Sequence, residues 1–594
     1  MRARGYRPKL ALPLFAALIW PGFVSAQAPP QAGVPTREEI ERIPVDPVDR
    51  TRGQALSVES EVERAPCPLA DPQFQNVTFQ LASVEFAGLQ ALSPDLLRPA
   101  YADYVGQTLP IATVCEIRDR AATILRSAGY LAAVQVPPQR IENGVVRFDV
   151  LMAKLVGIQV RGDAGRSERL IAGYLEKIQE QPVFNIRDAE RYLLLARDLP
   201  GYDVRLTLRP AGTAPGEVIG EVAVIHTPVV LDVNVQNYGS RDTGRWGALA
   251  RAQFNGLTGM GDATTVGFFS TADFEEQRVL QLGHAMRVGR EGLTLSGDFT
   301  YAWTRPDLGG GLDLRSETLV ASATASYPFI RSQSLNLFGA FGLDYVDQDT
   351  RFSGVPLSDD SLRVLFARLD YDSLDAESIA STRGYSIVEP RWRVGASLEL
   401  RHGLDVFDAT TKCSDRADAC AALPSPSRVD GDPTAFVARY SSFVEYRPSP
   451  TIAFSVSPRA QYAPDPLLSY EEFSLGTYTI GRGFDPGTLL GDSGLGFQSE
   501  LRVGSLMPNA RDAFAIQPFA FFDLGVVWNE DRAFDGIGHQ DLYSAGGGVR
   551  AAYGDRGRLD LAVAVPLNRA GLQTERGDVR LLVSLTTKLL PWTR

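Results

Sequence analysis

The sequence predicts a membrane β-barrel of about sixteen antiparallel strands, preceded by two small α+β modules. Three observations predict it. The chain of 594 residues opens on an export signal. No later stretch approaches the roughly 20 consecutive apolar residues a membrane helix needs, although glycine (55 residues) and aromatics (9%) are plentiful. From Val229 onward, one alternating segment follows another.

Arg2, Arg4, Arg7 and Lys9 form a basic n-region, and Leu10 to Phe23 form an apolar run broken by prolines. Val24-Ser25-Ala26 then offers small residues before a cleavage point, so residues 1–26 read as a signal peptide and Gln27 as the mature start. Residues 27–73 are rich in Pro, Glu and Arg and read as a linker. It carries one short helix over Thr36 to Ile43, where Thr36 and Glu39 fit a capping box.

The two modules are read over 74–153 and 154–228. Val84 to Gly88 is a strand and turn. Two helical stretches follow, the second over Val114 to Ser127 and ending at Gly129-Tyr130, and then strands over Val134 to Val136 and Val145 to Val150. The order recurs as Ile158 to Gly162, helices over Ser167 to Ile178 and Asn185 to Ala196, Gly201-Tyr202, and strands over Val204 to Leu208 and Gly220 to Ile225. The two Gly-Tyr pairs are 72 residues apart, the scale of a repeated small domain rather than a solenoid unit.

The barrel is read over 229–594. Its strands fall near Val229, Arg245, Asp262, Gln277, Gly292, Glu317, Leu335, Leu362, Tyr385, Ala435, Ile452, Leu495, Ile516, Leu542, Leu559 and Val579. If the chain enters from the periplasm, odd-to-even connections face outside. The long ones do: Thr304 to Arg315, Asp347 to Ser361, Arg401 to Pro433, Ala463 to Ser493 and Asn529 to Asp541. Several even-to-odd connections are short, as at Ile330 to Gln333, Arg447 to Pro450 and Gly554 to Gly557, which is the asymmetry such barrels show. Asp372 to Arg383 is long for the inner side.

A formal charge of −12 argues against a nucleic-acid partner. The four cysteines form two local pairs, Cys67 with Cys115 and Cys413 with Cys420. An oxidising compartment allows each pair to close as a disulfide, with buried free thiols as the alternative. Zinc is disfavoured because no His lies near either pair in sequence. Enzyme chemistry finds no support. His226, His284, His402 and His539 are scattered, Gly256 to Gly261 is a strand turn, and no Walker sequence occurs. Neither metal nor cofactor is expected.

One pair of motifs stands out. Gly481-Arg482-Gly483-Phe484 lies in the loop between strands eleven and twelve, and Phe521-Phe522-Asp523-Leu524-Gly525 lies in strand thirteen. Alternation turns Phe519, Phe521, Asp523 and Gly525 to the lumen and leaves Phe522, Leu524 and Val526 for lipid. A charge pair inside a barrel is costly unless each member satisfies the other, so the pair points to a role in holding the loop inside the pore. An ordinary turn and an unrelated lumen acid are the alternative.

This arrangement resembles the two-partner secretion transporters of the FhaC/ShlB/HecB type, within the BamA-like superfamily. That family joins a signal peptide, a plug helix and linker, two periplasmic POTRA domains and a sixteen-stranded barrel. Its loop carries (Val/Ile)-Arg-Gly-(Tyr/Phe), which pairs with the Asp of a Phe-x-Asp-x-Gly strand. The matches are Arg482-Gly483-Phe484 with Phe521, Asp523 and Gly525. Further matches are Cys67, Cys115, Gly129-Tyr130, Pro137-Pro138-Gln139, Gly144, Asp232 to Gly239, Thr243-Gly244 and Gly261-Asp262. Gly481 departs from the pattern, and so does the C-terminal Leu590 to Arg594, which lacks a final aromatic.

The resemblance implies an outer-membrane protein with its POTRA domains in the periplasm. It would export a large secreted exoprotein, an adhesin, haemolysin or toxin that is unfolded in transit. Outer-membrane lipid and the barrel-assembly machinery would be its other partners. Without ATP in the periplasm, transport would draw on the folding of the cargo outside. A barrel or autotransporter assembly factor of the same superfamily is one alternative, though it would carry more POTRA repeats. A passive porin is the other, and it would have no use for the two modules.

Overall fold

The computed structural model describes residues 34–41, 69, 71–74, 76–90, 92–379, 381–413, 420, 423–510, 512–530, 539–571 and 576–591. The expected signal peptide, the far end of the expected helix at Ile43, and Cys67 lie outside the described residues. What is described of the helix is one turn, Arg37–Ile40. Thr36 caps it through its Oγ1, which accepts from Glu39 N at 3.3 Å, and Glu39 Oε2 accepts from Thr36 N at 2.9 Å. The capping box therefore satisfies donors that a helix start leaves unpaired.

In the first module a central strand, Val145–Met152, pairs in parallel with Ser83–Ala87 and antiparallel with Ala132–Gln135. The helix Thr113–Ser127 places Val114, Ile117, Ala121 and Leu125 at intervals of three and four, which puts them on one face. That face is buried with Val146, Phe148 and Val150 of the central strand. The other helical stretch, Pro94–Ala100, is a 3-10 helix, because Pro99 removes a donor inside it.

The second module repeats the plan. Glu217–His226 lies between Lys154–Gly162 (parallel) and Tyr202–Pro210 (antiparallel), covered by helices Glu168–Gln179 and Ile186–Arg197. Ala153 alone separates the last strand of the first module from the first strand of the second.

Sixteen strands, from Val229–Gln236 to Arg580–Leu590, then run antiparallel in chain order, and the last pairs with the first. Closure leaves no unpaired edge in lipid, where an unsatisfied backbone group would cost several kcal/mol. Alternation sorts the side chains. Phe341, Leu561 and Val563 stand outward and exposed, while Gln277, Thr318, Gln348 and Ser455 are buried inward.

Two connections differ from the expectation. Asp347 to Ser361 is not a long loop. Strands seven (Leu335–Phe352) and eight (Val355–Leu374) continue to a two-residue turn at Ser353-Gly354, both with positive φ, as a right-twisted hairpin requires. At 18 and 20 residues, these strands exceed the roughly 9–11 residues a crossing needs, so the hairpin projects outside. Strand nine begins at Trp392, not near Tyr385. The inner connection 375–391 is accordingly long, with a helical turn at Ala376–Ile379. Pro390 has no N–H to extend the ladder toward Tyr385, and the Tyr385 hydroxyl instead donates to Arg447 O at 3.3 Å.

The second module docks on the inner turns. Arg331 grips Asp198 through two bonds of 2.6 and 2.7 Å, Arg166 donates to Leu257 O at 2.6 Å, and Gln333 N donates to Glu190 at 2.6 Å. These contacts fall on two turns, 256–262 and the one around Ser332, and both are even-to-odd connections. The second module thus lies on the side of these inner turns, and the long loops lie on the other.

Candidate functional site

The loop between strands eleven (Ile452–Tyr462) and twelve (Ser493–Val503) covers residues 463–492 and folds back into the barrel. Its base is tied by Ser493 Oγ, which accepts from Ala463 N at 2.9 Å. Above the base, Phe473–Leu475 pairs antiparallel with Leu489–Gly491 as a short stalk. Phe473, Leu475, Ile480, Phe484 and Leu489 pack with Val527 and Leu542 of the wall, so an apolar contact seats the tip. Arg580 of the last strand donates to Phe484 O and pairs with Asp485 at 3.1 Å.

Arg482 sits at that tip and meets Asp523 three times. Its backbone N–H reaches Oδ2 at 2.9 Å, its Nε reaches Oδ2 at 3.0 Å, and its Nη2 reaches Oδ1 at 2.6 Å. A planar guanidinium is suited to this paired geometry, and a charge-assisted bond is about twice as strong as a neutral one. Ser544 Oγ adds a fourth donor to Asp523 at 3.2 Å. The Arg482 guanidinium also stacks on the Phe521 ring, 3.7 Å from its centroid.

Three glycines make this approach possible. Gly481 has φ +114°, a conformation that side chains disfavour. A Cβ on Gly483 would stand 2.8 Å from Ser544 Cβ and 2.9 Å from Pro566 N, and one on Gly525 would stand 2.6 Å from Leu475. Loop and wall therefore touch backbone to side chain, with no room for a methyl group.

Sequence reasoning missed Glu500 and Arg550. Glu500 accepts from Arg482 Nη1 at 2.5 Å and takes two bonds of 2.9 Å from Arg550, which stacks on Phe519 at 4.1 Å. Arg482, Arg550, Asp523 and Glu500 thus meet in one cluster, and the pairing of opposite charges offsets the desolvation that burial imposes. The signal for it was the Glu500-x-Arg502 pattern on an inward face. That pattern marks lumen residues without saying which loop meets them.

The helix Arg37–Ile40 lies against the opposite wall. Ile40 is fully buried in a cluster with Leu249, Phe269, Val346 and Tyr470, and its carbonyl accepts from Gln281 at 3.2 Å. Glu38 pairs with Arg459 at 3.3 Å, and Tyr470 of the loop donates to Glu41 at 2.8 Å. The helix is therefore wedged between the wall and the same inward loop.

Cys413 and Cys420 are joined in the outer loop 404–435, with Cα atoms 5.7 Å apart. Cys115 is disulfide-bonded, and its expected partner Cys67 lies outside the described residues. Among the described residues no group of three or more His, Cys, Asp or Glu side chains is arranged to hold a metal ion.

Comparison with known proteins agrees with this fold. The ShlB-type POTRA domain matches residues 79–152. HuxB of Haemophilus influenzae strain 86-028NP, a heme/hemopexin transporter protein, is 24% identical over 45% of this chain and 47% of its own length, about half of that relative. HuxB of strain Rd is 22% identical over 83% of this chain and 85% of its own. In structure, CdiB from Escherichia coli superposes with a TM-score of 0.69 at 17% identity, covering 91% of this chain and 94% of CdiB, so it shares the fold. The haemolysin secretion/activation protein profile ShlB/FhaC/HecB matches residues 222–551, more than half of the sequence, and the chain belongs to that family of outer-membrane β-barrel proteins.

Proposed function

We propose that this protein secretes a partner exoprotein, an adhesin, haemolysin or toxin, from the periplasm to the cell surface, and that the Arg482–Asp523 pair is the lock that keeps the inward loop in its working position. The observation that carries the reading is the tip of loop 463–492, held against the wall by three bonds from one arginine. The family supplies the class of activity. No chemical step or ATP is involved. Folding of the cargo outside makes export favourable and pulls the unfolded chain through.

An unfolded cargo has exposed backbone groups, and each module offers a strand edge. In the second module the outer strands of the three-stranded sheet are Lys154–Gly162 and Tyr202–Pro210. Adding a cargo strand there recognises backbone rather than sequence. The lumen then opens as the helix Arg37–Ile40 withdraws. A passive porin fits poorly, because the helix and the loop both occupy the lumen. Outer-membrane lipid covers the outward apolar faces, and the barrel-assembly machinery inserts the chain.

Arg482→Ala leaves the Asp523 carboxylate buried without a cation, which costs about 3–5 kcal/mol. Asp523→Ala removes the three bonds that seat Arg482 on the wall and leaves it paired with Glu500 alone. Secretion of the cognate exoprotein should fall about tenfold or more, while the barrel still assembles and migrates as a folded species in unheated gels. The double variant should be much less than additive. Full secretion by either single variant, or strict additivity, would overturn the role.

A further inference from the structure

Between the lock and the periplasmic rim, the lumen wall carries a continuous row of opposite charges. Glu500, already bound by Arg482 and Arg550, lies 3.7 Å from Arg502 Nε. Arg502 Nη2 donates to Glu445 Oε2 at 2.6 Å, and Glu445 Oε1 accepts from Arg447 Nε at 2.9 Å. Arg447 Nη2 in turn lies 3.5 Å from Glu389 Oε1.

Strand ten (Phe436–Ser449) supplies Glu445 and Arg447, and strand twelve supplies Glu500 and Arg502. Strand eleven runs between them, and Ser455 stands in register with both Glu445 and Glu500. Its small side chain leaves space for Arg502 to cross to Glu445.

The far end of the row is fixed. Glu389 belongs to the inner connection 375–391, and it accepts from Ser505 Oγ at 2.6 Å and from Leu506 N at 3.2 Å in the inner connection 504–513. Two inner turns are thus clamped where the row begins.

Arg502 has two carboxylates in reach, and only one holds it by a hydrogen bond. We infer that Glu445 is a positioning residue for the lock: it holds Arg502 away from Glu500, so that Glu500 remains with Arg482. Glu389 supports it through Arg447 at the mouth of the pore. The inference rests on Arg482 being the lock, and it adds that the lock is set from the periplasmic rim. Coupling here passes through a contiguous chain of ion pairs, which is a testable physical route. Loss of Glu445 frees Arg502 to compete for Glu500 and weakens the hold on Arg482.

Arg482 is the only Lys or Arg between Ala463 and Asp492, so trypsin cleavage after Arg482 reports how often the tip leaves the wall. With the full-length protein in vesicles, Glu445→Gln should speed this cleavage about tenfold, because cleavage tracks the open population when reclosing is fast. Glu389→Gln should have a smaller effect. Asp344→Asn, whose carboxylate pairs with Arg401 elsewhere in the lumen, should have none.

The diagnostic result is rescue. Adding Arg502→Gln to Glu445→Gln removes the competing cation and should return cleavage to within about twofold of the parent rate, a non-additivity that general loosening cannot give. Parent-rate cleavage in Glu445→Gln, equal acceleration by Asp344→Asn, or no rescue would each overturn the inference. If Glu445→Gln fails to assemble, Arg502→Gln alone decides, since cleavage at or below the parent rate supports the inference and faster cleavage refutes it. Cleavage needs no cargo. Secretion by Arg482→Ala would therefore remove the lock's role without touching this coupling.

Discussion

Asp523 has no exposed surface, yet it is a carboxylate, a group that can only accept hydrogen bonds when ionised. It survives because four donors converge on it, three of them from Arg482. Lysine would offer a point charge in place of a planar fork. Arg482→Lys should therefore secrete little better than Arg482→Ala, and near-normal export by the lysine variant would mean that charge alone is enough. Space matters as much as charge. Gly483→Ala keeps both ionic partners but drives a methyl group into Ser544 and the backbone at Pro566. Its expected phenotype is a loss of secretion comparable to Arg482→Ala in a normally assembled barrel, read by secretion assay and gel mobility. Wild-type export by Gly483→Ala would show that loop and wall do not need to touch.

Elements carry the next level of the argument, because one short helix and one loop share the lumen. Ile40 is fully buried against the wall and Tyr470, so Ile40→Asp would place an unpaired charge in an apolar contact. The helix should leave the lumen, and single-channel conductance of the reconstituted protein should rise. Unchanged conductance would assign the seal to the inward loop alone. The strands themselves were legible in the sequence because alternation of apolar and polar residues is a direct image of lipid on one side and lumen on the other. Where alternation misled, the cause was local. Pro356, Ser358, Asp359 and Asp360 look like loop, yet they extend strand eight beyond the membrane, where water permits polar residues on both faces. Tyr385 looks like a strand residue, but the strand starts only after Pro390. The motif residues Arg482 and Asp523 could be read from the sequence, whereas Glu500, which binds Arg482, and Arg550, which binds Glu500, could not. Who meets whom across a lumen is set by barrel closure and register, and neither is written in any single strand.

At the scale of the whole molecule, a set of charged contacts ties the second module to the barrel. Arg331 and Asp198 form the paired contact, Arg290 meets Glu176 at 2.8 Å, and Arg287 donates to Asp198 O at 3.2 Å. Hydrogen bonds to charged groups contribute about 1.5–3 kcal/mol each when well ordered, so a docking face of this kind is firm yet separable. The barrel, by contrast, rests on closed backbone pairing that lipid enforces. Asp198→Asn should accordingly loosen the module without unfolding the barrel. Distances between spin labels, one on the module at Thr213 and one on the outer loop at Ala409, should broaden, while resistance of the barrel to heat in detergent stays at the parent value. Secretion should fall with the broadening, because a cargo strand held on the module's edge must be delivered to a fixed mouth. Arg331→Ala should behave the same way, since both changes break one contact. If the distances broaden and export is unaffected, delivery does not depend on a fixed module. If the distances do not broaden at all, the remaining contacts suffice to hold it, and the paired arginine and aspartate contribute no more than an ordinary surface ion pair, about 0–1 kcal/mol.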